Sequence, residues 1–206
     1  MIVGPMQKNS DLELSISETV KELLSSIEND LPSAKCRLDK FVEVFDKEFP
    51  LDTKPEDRAR AEAITWALMN VPLLLYSLNM NGSAIIELHG ILERFILRDT
   101  ANHLGVPLKI FERHHLPDLA LVLHDLEIFD KEDLRFARKL SRLRNGLAHK
   151  NPMSISNLLF SGKKISALDI DSVMAKYDCI PLLIGAIHLM VKMSKAEVFT
   201  GSKEKT

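Results

Sequence analysis

At 206 residues, 46% hydrophobic and 27% charged, the chain can bury a proper core and fits one domain, with or without an appendage, as expected of an ordinary soluble globular protein. A net charge of −2 excludes a global pull toward nucleic acid or anionic lipid, so any such partner must be met by a local patch. Cys36 and Cys179 stand singly without C-x-x-C spacing, which argues against a zinc site or a disulfide framework and points to a reducing cytoplasm.

Apolar residues recur at three- and four-residue spacing almost everywhere, and no alternating run with hairpin turns interrupts them, so the expected fold is all-α, an antiparallel helical bundle. Residues 1–10 lack the basic-then-apolar pattern of a secretory signal. Leu12, Ile16, Val20, Leu23, Leu24 and Ile27 predict a first helix that ends before Pro32, and residues 36–49 predict a second, closed by Pro50. Residues 1–50 are thereby expected as a helical extension, followed by a bundle over 51–200 and a polar tail over 201–206.

Thr53, ahead of Pro55, Glu56 and Asp57, reads as the N-cap of a long helix to about Asn79, kinked near Pro72. Asn81-Gly82-Ser83 reads as a turn. Ile85, Leu88, Leu92, Phe95 and Ile96 then stripe a second long helix that ends near Leu104, before Gly105-Val106-Pro107. Pro117 and Asp118 start a short helix carrying Leu119, Val122, Leu123 and Leu126. Asp130, with Glu132 and Asp133 behind it, caps the next helix, which Asn151-Pro152 ends. Residues 151–168 read as a loop insertion, and residues 178–198 as a final apolar helix. The longest apolar runs, 66–78 and 179–191, are too short to span a bilayer, so no membrane partner is expected. Trp66 and the methionines at helical spacing read as core.

The helix after Asp130 carries the chemistry. Arg135, Arg138, Arg142, Asn145 and His149 follow steps of three and four and so share a face, while Leu134, Ala137, Leu140, Leu143 and Leu147 supply the apolar side. Between Lys131 and Lys150 there are seven Lys or Arg against two acids, a local +5 in a chain of net −2. Arg135, Arg138, Arg142 and Lys150 thereby form the local patch that RNA would require, although charge stripes are often no more than solvated helix faces.

The stretch Arg144-Asn145-x-x-x-His149 sets a cation, an amide and an imidazole within a turn and a half of helix. A neutral imidazole can take the proton of a ribose 2′-hydroxyl, and a guanidinium can hold the scissile phosphate as negative charge develops. Arg144 and His149 lie about 140° apart around the axis, so one helix reaches one atom with both only at a shared groove. A two-fold dimer, motif to motif, would supply a second His149 as the acid for the leaving oxygen.

Leu143-Arg144-Asn145 followed by Ala148-His149 resembles the signature of the HEPN superfamily, an Arg and a His four to six residues apart, often with Asn after Arg. Residues 119–134 resemble the short helix and turn that precede the motif helix in that family, and the likeness runs over about residues 56–198. The resemblance implies a bundle that dimerises through the motif helix and cleaves RNA without metal or cofactor, as toxin or anti-phage defence members do. By it, Arg144 and His149 are the catalytic pair and Asn145 the polar residue beside them. An antitoxin or other inhibitory partner is implied as well, but Asn151 stands where some toxins carry a modified tyrosine two residues after the histidine, so control by that modification is not expected. Members that have lost activity imply an alternative, a silent module that binds RNA or a protein.

Glu87 and Glu93, on the preceding long helix, are the groups placed to orient His149 or to pair with the arginines, if they are not ordinary surface acids. Glu112-x-x-His115 is half of a di-iron pattern, and no second Glu-x-x-His completes it. His89, His103, His124 and His188 read as single, scattered side chains.

Overall fold

The computed structural model describes residues 32–111, 113–159, 166 and 169–196, and every regular element in them is helical. The helix predicted over residues 12–27, the glutamate of Glu112-x-x-His115 and the polar tail lie outside the described residues. Among the described residues nine α-helices follow in order: α1 Pro32–Glu48, α2 Pro55–Leu68, α3 Asn70–Ser77, α4 Asn81–Leu104, α5 Leu116–Asp125, α6 Lys131–Ala148, α7 Pro152–Leu159, α8 Ile170–Ala175 and α9 Ile180–Lys195. A 3-10 turn, Leu108–Ile110, lies between α4 and α5. No helix among the described residues is long and apolar enough to cross a membrane.

Helix α4 is the axis of the molecule, with α3, α5, α6, α8 and α9 all packed on it. Its apolar stripe, Ile85, Leu88, Leu92 and Ile96, is fully buried. Helix α9 is apolar nearly all round, which suits a helix buried among neighbours, and it meets α1, α2, α4 and α6. Where α9 passes α6 the backbones approach closely, since a Cβ on Gly185 would stand 2.4 Å from the Phe136 ring.

The structure departs from the sequence expectations at several places. Residues 36–49, expected outside the bundle, belong to it: α1 buries Leu38, Phe41 and Phe45, and Phe49 follows, in one core with the other described helices. Their spacing gives α1 an apolar stripe that only the bundle covers. The expected turn at Asn81-Gly82-Ser83 is the start of α4, and the turn lies just upstream at Asn79, φ 64°. Asn81 is drawn into the helix by tertiary bonds: its Nδ2 donates to the carbonyls of Met174 (2.9 Å) and Tyr177 (2.8 Å), and its Oδ1 accepts from Arg37 Nη2. The expected loop at 151–168 contains α7, whose N-cap is Asn151, with Oδ1 accepting from Ser154 N at 3.2 Å. Asn-Pro was read as a stop signal for α6, but it also begins α7, because proline is favoured at the first helical position.

The expected long helix over 53–79 is broken for one residue, Met69, where φ and ψ are −97° and 1°. Pro72 offers no N–H to the Leu68 carbonyl four residues upstream and its ring crowds that group, which accounts for the break at the next residue, Met69. The break lets α2 pack on α9 while α3 packs on α4. It also leaves Trp66, expected in the core, 37% exposed.

Candidate functional site

Helix α6 is fixed at both ends. At its start Asp130 Oδ1 accepts from Glu132 N (2.8 Å) and Asp133 N (3.0 Å), and Asp133 Oδ2 accepts from Asp130 N (2.9 Å), a reciprocal cap. Lys192 from α9 donates to Asp130 at 2.8 Å, and these bonds lower the Asp130 carboxyl to about 2. At its end Asn151 N donates to Gly146 O (2.7 Å) and Lys150 N to Leu147 O (3.1 Å), with Lys150 at φ 46°. This is a Schellman closure with lysine where glycine is usual. It leaves His149 as the C-cap, directly after the last helical residue Ala148 and exposed to solvent.

Between the ends, the two faces are those read from the spacing. Leu134, Ala137, Leu140, Leu143 and Leu147 are buried. Arg135, Arg138, Arg142, Asn145, His149 and Lys150 are exposed. Arg135 is paired with Glu132, whereas Arg138 and Arg142 form no ion pair among the described residues. The stripe is therefore an open basic face with two arginines unspent.

Arg144 points elsewhere. It lines a cleft of about 420 Å³ between α4, α6 and the start of α5, together with His89, Glu93, His115, Ser141 and Asn145. Its Nη1 donates to Asn145 Oδ1 at 2.9 Å, which steadies the guanidinium at the edge shared by cleft and basic face. His149 does not line the cleft. The 140° between the two side chains is thus realised as two different surfaces of one helix.

Glu93 belongs to the cleft and Glu87 does not. Instead of an arginine or His149, the Glu93 carboxylate takes the N-terminus of α5, accepting from Leu116 N at 2.8 Å. The same oxygen, Oε2, lies 3.8 Å from His89 Nε2 and 3.9 Å from His115 Nδ1. His89, expected to stand alone, is buried here with Ser141 Oγ 3.0 Å from its Nε2. Burial lowers its pKa from the ordinary 6.5; Glu93 opposes that shift, while Arg144 and His115 reinforce it, so the ring is neutral at pH 7. His89 Nε2 faces both Ser141 and Glu93, so the three do not form a relay in which the acid holds one ring nitrogen and the hydroxyl the other.

His89, His115 and Ser141 are the members of this cleft that sequence reasoning missed. A local signal existed for part of it: His89 and Glu93 are four apart, as are Ser141 and Asn145, and so each pair shares a helix face. His115 arrives from a different segment, as N-cap of α5 with its backbone N–H bonded to Asp118 at 3.2 Å, and only the packing of α5 on α4 brings it in. Among the described residues no group of three or more His, Cys, Asp or Glu is arranged to hold a metal ion.

The cleft thus combines a permanent cation, an amide, a neutral imidazole and a second, exposed imidazole, a set able to bind an oxyanion and exchange protons beside it. Comparison with protein-family models, with curated proteins and with solved structures returns no match.

Proposed function

We propose that this chain is a HEPN-like endoribonuclease that cuts RNA without a metal ion and acts as a two-fold dimer through α6, in the manner of toxin or anti-phage defence effectors. The observation that carries the reading is the continuity of the open basic face with Arg144 and Asn145 at one edge and His149 at its end. RNA laid along Arg138 and Arg142 meets the chemistry at the last turn of the helix. There His149 takes the 2′-hydroxyl proton, and the 2′-oxygen attacks phosphorus while Arg144 holds the phosphate. The bond to the 5′-oxygen breaks, and that oxygen takes a proton from the partner's His149.

Purified protein should then degrade RNA in the presence of EDTA. Arg144→Ala and His149→Ala should each lower the rate at least about a hundredfold, the usual scale for one general acid–base or oxyanion group, with unchanged circular dichroism. Wild-type rates in both variants would sink the proposal.

A second reading is a silent HEPN-like module that binds RNA or a partner protein. It is favoured by a specific observation: within one chain Arg144 and His149 occupy different surfaces. RNA binding with no cleavage between pH 6 and 8 would select it.

A further inference from the structure

The Arg144 cleft has a neighbour. Glu93 and His115 form a wall common to it and to a second, more apolar groove of about 510 Å³, lined by Ile91, Phe95 and Leu108 with Arg94 and Arg98 at its rim. Each volume falls within the roughly 300–1,000 Å³ of small-molecule sites. One half offers polar donors and the other an apolar surface with Arg94 and Arg98 beside it.

We propose that the two together form a binding site for one unpaired ribonucleotide unit of an RNA strand, its phosphate held by Arg144 and His115 and its base lying in the apolar groove. This rests on the RNA reading above and deepens it by stating which part of the strand the chain grips.

The carboxylates in the polar half do not oppose a phosphate as free charges would. Glu93 is occupied by Leu116 N and Asp118 by His115 N, both at the start of α5, where the helix dipole offsets their charge. Arg144 has no carboxylate within ion-pair distance among the described residues, and its one hydrogen bond there, to Asn145, leaves its other N–H groups to point at a ligand. The His115 side chain is 80% exposed and stands at the junction, where a ribose would bridge the halves.

The apolar half has the chemistry of base stacking. Phe95 is partly buried with the Arg98 guanidinium 5.9 Å from its ring centre, and Leu108, exposed, lines the same groove. Arg94 is exposed and without an ion-pair partner among the described residues. Apolar and aromatic surface beside unpaired arginine suits a base joined to a phosphate, and suits a bare phosphate or a neutral peptide less well.

A fluorescently labelled 2′-O-methyl decanucleotide tests the site, because it lacks the 2′-hydroxyl needed for cleavage and its anisotropy reads binding alone. Arg144→Ala and Leu108→Asp should each weaken binding roughly tenfold, the scale of one stacked base or phosphate contact, while Leu108→Met binds as wild type. Circular dichroism should show all three folded. Absence of binding by the wild type, or wild-type affinity in Arg144→Ala and Leu108→Asp, overturns the site. Cleavage of unmodified RNA in that case leaves the ribonuclease reading standing. Binding as described with no cleavage of unmodified RNA removes the ribonuclease reading and keeps the site.

Discussion

Arg144 and His149 are five positions apart on a helix, and the consequence of that interval is carried through the whole site: the arginine turns into a cleft while the histidine remains outside it. The cleft supplies its own imidazole in His89, buried against Ser141 and kept neutral chiefly by burial. A ring whose folded pKa is lowered leaves the unfolded chain to take up the proton first. Its contribution is therefore complete above the ordinary value of 6.5 and is lost as pH falls below it, until the folded ring also protonates. Urea denaturation midpoints should accordingly fall between pH 7 and pH 5 in the wild type, and fall less in His89→Gln. Equal pH slopes in the two proteins would show that His89 does not carry the effect.

The two helices that present these residues, α4 and α6, end on closures that can be compared. Helix α4 stops at Gly105, φ 63°, with Val106 N bonded to Ala101 O at 3.0 Å. Helix α6 stops in the same way at Lys150, φ 46°, where a Cβ strains the left-handed backbone and glycine would not. Lys150→Gly should raise stability by about 0.5–1 kcal/mol in denaturant melts. It should also lower the salt dependence of RNA binding if Lys150 contacts a phosphate. The opposite case is Gly185 in α9, pressed against Phe136 of α6. Gly185→Ala should cost about 1–3 kcal/mol, because the ring or the helix has to move, and a thermal melt unchanged from wild type would contradict that packing. Both helices were legible in the sequence from their apolar spacing, the Asp130 cap and the Gly105 break. Helix α7 was not, since its Asn151-Pro152 start is the same pair of residues that stops α6.

Across the whole molecule, α1, α3, α4, α8 and the approach to α9 meet at Asn81. Its amide bonds to Met174 and Tyr177, its carbonyl accepts from Arg37, and Arg37 in turn donates to Tyr76 O at 2.7 Å and lies 4.1 Å over the Tyr76 ring. Cys179 Sγ sits 3.7 Å from the same Asn81 oxygen, and burial pushes its thiol up to about 12. Asn81→Ala would leave the buried Met174 carbonyl and the half-buried Tyr177 carbonyl without their amide donor and take one acceptor from Arg37, at a cost of about 2–3 kcal/mol. A thiol reagent at pH 8 should label exposed Cys36 in the native protein and leave Cys179 intact, whereas Cys179 should become reactive in Asn81→Ala as the junction opens. Labelling of Cys179 at the same rate in both proteins would contradict this role.

By itself the sequence determined what is local. Apolar recurrence at helical intervals settles an all-α chain, the Asp130 cap and the leucines settle α6, and the step between Arg144 and His149 settles that they diverge. These follow from helix geometry and capping chemistry, which need only near neighbours. Tertiary structure decided what depends on residues distant in the chain. Asn81 became helical because carbonyls more than 90 residues away take its amide. Residues 32–49 joined the core because α1 has an apolar face that only the bundle covers. Glu93 turned from a partner for arginine into the acceptor for the N-terminus of α5, which sets His115 beside His89 and Arg144. A single helix can place its residues on a face, but which side chains stand across from that face is set by the helices packed against it.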